Sequence, residues 1–186
     1  MALTLDGTSG ITQLTGSIVM SGSTSGTVTI IPTATAGSNT ATLPAATGTM
    51  MVSGNMPAFS AYQSSSQTLS GSTDTKILFQ TEEFDTNSNF ASSTFTPTVA
   101  GYYQVSSSIR MNSSATSVRV MIYKNGTKYK IGTDVNTTVN NGLVTTLVYC
   151  NGTTDYIEAY ANIGTGQALS ASSADTWFNG SMVRGA

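Results

Sequence analysis

The sequence predicts an all-β protein, and three observations support this prediction. Apolar and polar residues alternate with a period of two along much of the second half, as in "VRVMIYK" at 118–124. Short clusters of Gly, Asn, Ser and Thr separate these stretches and are typical of turns. No stretch carries the three-to-four-residue apolar spacing of an amphipathic helix. A chain of 186 residues can hold one ordinary domain plus an extension.

The first 55 residues form a distinct segment. No residue between Asp6 and Asp74 is charged, and apolar residues come in short groups such as 18–20 and 28–31. Groups this short cannot close a core within one chain. We therefore expect residues 1–55 to be an extended β-rich arm held by sister chains or by a docking surface, rather than a disordered linker. Its candidate anchoring residues are Ile18, Val19, Val28, Ile30 and Ile31.

Residues 56–186 contain the clearest strands. Tyr103, Val105, Ile109 and Met111 share one parity, which predicts a strand with one buried face. The Asn125-Gly126 pair predicts a hairpin, because both residues tolerate positive φ. We also expect "GLVTTLVYC" and "DYIEAYANI" to form a hairpin through "NGTT", and "TWFNGSMV" to be a closing strand inside a sheet.

Composition excludes several function classes. The chain has no His and one Cys, Cys150, which removes zinc sites, Ser-His-Asp triads and an intrachain disulfide framework. Its net charge is −2 and its basic residues are dispersed, so we expect no nucleic-acid binding. The absence of a long apolar run or a secretory signal predicts a chain made in a cytoplasm without membrane insertion.

Acidic residues raise the question of catalysis or calcium binding. Glu82, Glu83 and Asp85 cluster in the sequence, with Asp74 nearby. Adjacent residues of an extended segment point to opposite faces, so Glu82 and Glu83 do not easily share a site. Asp85 is better explained as the cap of a turn. We expect no enzyme activity and no cofactor, and the sequence leaves a surface calcium ion open.

Aromatic and glycine residues of the second part follow a defined spacing: Ala-Phe-Ser-Ala at 58–61, then Phe79, Asp85 and Phe90, then Phe95, Gly101 and Tyr103, then Lys124-Asn125-Gly126, and finally Phe178 and Gly180. This spacing resembles the globular head of the complement-one-q family, in the tumour-necrosis-factor-like superfamily. The likeness spans nearly all of 57–183. The chain departs from the family pattern in a shorter 90–95 interval and at Val105 and Ser107, where the family prefers aromatic residues.

The resemblance implies a ten-stranded jelly-roll sandwich that assembles as a homotrimer. One face of the Gly-x-Tyr strand would fill the sandwich, and the other would approach the threefold axis. The residues that this places in the structural core are Phe59, Phe79, Phe90, Phe95, Gly101, Tyr103, Phe178 and Gly180. The alternative interpretation is that Phe95, Tyr103 and Phe178 form a ligand-binding platform.

The N-terminal segment is similar in composition to stretches of tailed-bacteriophage fibre proteins. We therefore expect a virion protein, assembled in the bacterial cytoplasm, whose arm (1–55) binds other virion proteins and whose knob (56–186) faces outward. The knob would contact a bacterial surface glycan or protein, with Lys124, Asn125 and Lys128 as exposed candidates. Two alternatives remain open: a capsid decoration protein, or a soluble trimeric binding module.

Overall fold

The computed structural model describes residues 18–31 and 50–186. The protein divides into two units, with the boundary between Thr47 and Gly48. The described residues form strands and connecting loops, with one 3-10 turn at Ser53–Asn55 and no α-helix. No helix in this described part is long and apolar enough to span a membrane. The class is therefore all-β, as the alternation predicts.

The described part of the first unit is a β-hairpin. Strand β1 (Ile18–Ser21) pairs antiparallel with β2 (Thr27–Ile30). Two glycines build its turn. A Cβ on Gly22 would lie 2.3 Å from the Ser25 carbonyl oxygen, and Gly26 has a φ of +76°. Only glycine meets both requirements without strain.

The second unit is built from thirteen strands: β3 (Ala58–Tyr62), β4 (Thr68–Leu69), β5 (Thr75–Lys76), β6 (Thr81–Asp85), β7 (Phe90–Ala91), β8 (Thr94–Phe95), β9 (Gly101–Ala115), β10 (Val118–Lys124), β11 (Thr127–Val135), β12 (Val139–Cys150), β13 (Ile157–Ile163), β14 (Gln167–Ala168) and β15 (Trp177–Gly185).

Two large sheets enclose the core of this unit. One has five strands in the order β12-β9-β15-β3-β6. The other has six, in the order β11-β10-β13-β8-β7 with β5 also pairing to β13. A small sheet joins β14 to β4. The last strand, β15, lies between β9 and β3, which confirms its predicted place inside a sheet.

The two predicted turns with an Asn-Gly pair both occur, but only one of them joins two strands that pair with each other. Asn125 and Gly126 have φ values of +54° and +73°, and they join β10 to β11 as the predicted hairpin. The hairpin predicted through "NGTT" is wrong: β12 pairs with β9, whereas β13 pairs with β10 in the other sheet. The chain crosses from one sheet to the other at this turn. A Cβ on Gly152 would lie 2.5 Å from the Ala100 backbone nitrogen, so this position requires glycine.

The core is centred on a cluster of phenylalanine rings. The Phe59 ring lies 4.3 Å from that of Phe95 and 4.9 Å from those of Phe90 and Phe178, measured between centroids. Phe79 packs on Phe178 at 5.7 Å. Phe95, Tyr103 and Phe178 are fully buried, so none of them can form a surface platform for a ligand.

The two glycines of the predicted core lie where strands approach closely. A Cβ on Gly180 would lie 2.8 Å from a Val105 methyl and 2.9 Å from the Phe59 ring. A Cβ on Gly101 would lie 2.5 Å from the Arg184 carbonyl oxygen. Any larger residue at these positions would have to displace the core ring or the β15 backbone.

Replacing Phe95 with Ala should lower the free energy of unfolding by roughly 3 to 5 kcal/mol, because the ring is fully buried between Phe59 and Tyr103. Urea denaturation followed by circular dichroism measures this loss. Leu78→Ala is the matched control, since Leu78 is 44% exposed and should change stability by less than about 1 kcal/mol. Equal effects of the two changes would contradict the central place of the ring cluster.

Candidate interaction surface

The outward side of the five-stranded sheet, here called the open face, carries large apolar side chains. On β12, Leu143, Leu147 and Tyr149 are 47%, 48% and 41% exposed. Tyr102, opposite Tyr149 on β9, is 40% exposed, and the two rings lie 5.4 Å apart. These side chains alternate with Val144, Val148 and Cys150, which point into the core. Strand β12 is therefore apolar on both of its faces.

The far margin of the open face carries a further aromatic ring. Phe84 on β6 is 51% exposed, although its strand is otherwise polar. Strands β12 and β6 are the two end strands of the sheet. Exposed apolar side chains thus lie at both margins of the open face, and the two margins differ in which side chains they carry.

The middle of the open face is polar, and the Glu83 carboxylate reaches it through its hydrogen bond with the Ser60 hydroxyl. A groove of about 260 Å³ runs over Ser60, Gln104, Ser106 and Asn179, with Phe84 beside it. The Gln104 amide donates a hydrogen bond of 2.7 Å to the Thr145 hydroxyl. This pattern of hydroxyls and amides between apolar margins suits a contact with another protein surface, in which small polar groups are buried with their hydrogen bonds already made.

The outward side of the six-stranded sheet differs sharply, because its charges are paired with one another. The Asp74 carboxylate accepts hydrogen bonds from the Tyr123 hydroxyl at 2.6 Å, the Asn162 amide at 2.7 Å and Lys128 Nζ at 2.9 Å. These three donors, of which the Tyr123 hydroxyl has the largest effect, lower the pKa of Asp74 to about 2. Burial and the bond to Asp74 raise the pKa of Tyr123 to about 12.

Asp74 ends a short strap, Gly71–Asp74, that lies along this sheet. The Ser72 amide donates a 2.7 Å hydrogen bond to the Ile163 carbonyl oxygen, and Gly71 forms a parallel bridge with the same residue. Through its carboxylate the strap connects β10, β11 and β13. Asp74 therefore has a structural role, because its bonds hold the strap to the sheet.

The exposed-loop candidates Lys124, Asn125 and Lys128 are held by neighbouring acids. Lys128 pairs with Asp74, as described above, and Lys124 Nζ lies 2.9 Å from the Asp155 carboxylate. The Asn125 amide donates to Asp155 at 2.7 Å, and this bond is the main reason that the pKa of Asp155 is lowered. These bonds lock the turn after β10 to the turn after β12. A receptor contact through these side chains stays a prediction.

Two of the three acidic residues of β6, Glu83 and Asp85, also have structural partners. One Asp85 oxygen accepts a 2.7 Å hydrogen bond from the Phe90 amide, which closes the intervening turn. Glu83 accepts a 2.7 Å hydrogen bond from the Ser60 hydroxyl. Within residues 18–31 and 50–186, no three Asp, Glu, Cys or His side chains lie close enough to hold a metal ion together.

The anchoring candidates of the arm are open to solvent wherever their side chains are described. Val19, Val28, Ile30 and Ile31 are 58%, 62%, 51% and 68% exposed. Ile18 pairs with Ile30 in the hairpin register. The remainder of the proposed arm, residues 1–17 and 32–49, lies outside the described residues.

Sequence reasoning missed the open-face residues of β12. The signal was present, because "GLVTTLVYC" places apolar side chains at both parities, with Leu143, Leu147 and Tyr149 against Val144 and Val148. A strand that is apolar on both faces is typical of burial on both sides. In one chain, β12 is buried on one side only.

Solved structures show which fold this is. Murine APRIL superposes with a TM-score of 0.55 at 11% identity, covering 69% of this chain and 99% of that one. Eiger TNF from S. frugiperda superposes with a TM-score of 0.53 at 8% sequence identity, covering 70% of this chain and 93% of that one. The globular domain of zebrafish complement 1qA superposes with a TM-score of 0.47 at 15% sequence identity, covering 70% of this chain and 99% of that one. The APRIL and Eiger superpositions show that the fold is a jelly roll like theirs, and these identities establish nothing beyond the fold.

Comparison of the sequence itself gives no match. No protein-family profile matches the chain, and no curated protein does so either.

Replacing Asp74 with Asn should lower the free energy of unfolding by about 1 kcal/mol at neutral pH, after allowance for solvent screening. The folded pKa of about 2 lies below the ordinary value of 3.8. The contribution of the carboxylate is thus fully present above pH 4 and is lost as the pH falls through 2. Urea titrations of both proteins should converge over this interval.

Asp134→Asn is the control for this change, because Asp134 forms an ion pair with Arg119 in which both side chains are more than 40% exposed. It should alter stability little at any pH. A stability gap between the wild type and Asp74→Asn that persists unchanged at pH 2 would contradict the role assigned to Asp74.

Proposed function

We propose that this chain is a structural protein of a bacteriophage virion, which forms a homotrimer through the open face and projects its jelly-roll knob from the particle. The observation that carries the proposal is the open face itself, with half-exposed apolar side chains at both margins of one sheet. The arm, residues 1–55, joins the knob (56–186) to other virion proteins.

Self-association is supported by the placement of the two margins. Leu147 and Tyr149 stand on the end strand β12, and Phe84 stands on the opposite end strand β6. Because the two patches are different, one copy would contact the next head to tail, and such contacts close into a ring when the rotation fits. Three copies is the number that the complement-one-q resemblance implies.

The virion assignment is supported by the arm. Its composition, free of charge from 7 to 55 and rich in Ser, Thr and Gly, is similar to that of tailed-phage fibre proteins. The exposed apolar side chains of Val19 and Ile31 give it material for a contact with another protein. A fibre that contacts a bacterial glycan or protein is the favoured role, and a capsid decoration protein is the second candidate.

Leu147→Asp should convert the trimer to a monomer, because a charge at the margin of the open face would be buried without a partner. Light scattering at micromolar concentration measures the mass directly. Leu78→Asp is the matched control: Leu78 is exposed to a similar degree but lies outside the open face, so this variant should remain trimeric. A monomeric wild-type protein would remove the homotrimer from the proposal.

Antibody labelling of intact phage particles should locate the protein on the tail if it is a fibre. Particles that lack it should then adsorb to the host at a much reduced rate. Labelling of the head with unchanged adsorption would instead favour the decoration role. If purified particles carry no label at all, the virion assignment is wrong.

A further inference from the structure

The hairpin of β1 and β2 has one apolar face that is open to solvent. Met20, Val28 and Ile30 are 47%, 62% and 51% exposed. Met20 is directly opposite Val28 in the register, and Ile30 follows Val28 on the same side of β2. The other face carries Val19 with the hydroxyl residues Ser21, Thr27 and Thr29. The hairpin is therefore amphipathic.

A hairpin of this kind is marginal without a covering partner. Two four-residue strands bury too little apolar surface to be stable alone in water. Residues 18–31 also contain no charge and no proline, the usual devices that keep strand edges from pairing. The turn between the strands is nevertheless well specified by Gly22 and Gly26.

We propose that the apolar face of this hairpin is covered by the same face from other copies of this chain. The hairpins would then form a second self-association element, distinct from the open face of the knob. This inference rests on the proposed homotrimer, because the knob is what brings the copies together.

A second copy fits this face better than a charged partner does. The segment from 7 to 73 has no charge, so copies do not repel one another there and offer nothing to an ionic surface. Once three knobs are joined, each hairpin meets its neighbours at an effective concentration on the order of millimolar. Weak apolar contacts are sufficient for association at that concentration.

In this arrangement the two faces of the hairpin make contact with different partners. Met20, Val28 and Ile30 would be buried between copies. Val19, on the hydroxyl face, and Ile31, beyond the end of β2, remain available for contact with other virion proteins.

Cysteine cross-linking of the full-length chain tests the inference. The native Cys150 does not interfere, because it is buried and burial raises its pKa to about 11. We expect the Val28→Cys variant, treated with mild oxidant or a short bismaleimide, to give covalent dimers, leaving one chain of each trimer unlinked. Thr29→Cys, the neighbouring residue on the hydroxyl face, is the control and should stay unlinked.

Light scattering of the same samples separates the possible failures. A trimer in which Val28→Cys links no better than Thr29→Cys overturns the inference and leaves the trimer standing. A monomer overturns both. Cross-links from Val28→Cys to a different virion protein, formed within assembled particles, would show that this other protein covers the face, which also overturns the inference.

A dilution series gives a second, independent test. Val28→Asp should raise the concentration at which the trimer dissociates by about tenfold or more, because a charge would be buried between the hairpins. Thr27→Asp, on the hydroxyl face of the same strand, should leave that concentration unchanged. Equal dissociation of the two variants would contradict packing through the apolar face.

Discussion

The packing of Phe59 is the interaction on which the second unit depends. Its ring contacts those of Phe90, Phe95 and Phe178, and so joins the two sheets at one point. Gly180 leaves the space that the ring occupies. This contact holds β3 and β15 in register within their sheet, with Phe59 opposite Gly180.

The two outer sides of the sandwich have opposite chemical characters. On the six-stranded sheet, the Asp74 carboxylate is fully hydrogen-bonded by its three donors, and Tyr129 and Ile131 of β11 stay 39% and 45% exposed. On the five-stranded sheet, half-exposed rings and leucines surround neutral polar groups. The first side stabilises the monomer, whereas the second is suited to contact between proteins.

Sequence reasoning succeeded where the signal is local. The alternation through Tyr103 and Val105 and the Asn125-Gly126 turn predicted strand β9 and the β10–β11 hairpin, because each depends on a few neighbouring residues. It failed for the turn at Gly152, since a turn sequence does not say which sheet the next strand joins. The strap was not predicted either, because Asp74 meets partners 49 and 88 residues away along the chain.

The position of β15 between β9 and β3 has a consequence for how the protein is made. Strands β3 and β6 attach to the rest of their sheet only through β15, so the sheet stays in two pieces until residues 177–185 have left the ribosome. In the nascent chain, β3 and its Phe59 side chain therefore lack their β15 partner while more than a hundred further residues are synthesised. During this time they are exposed to chaperones. Premature release of the polypeptide would give a product in which the edges of β9 and β3 are unpaired. Such a product is prone to aggregation and proteolysis.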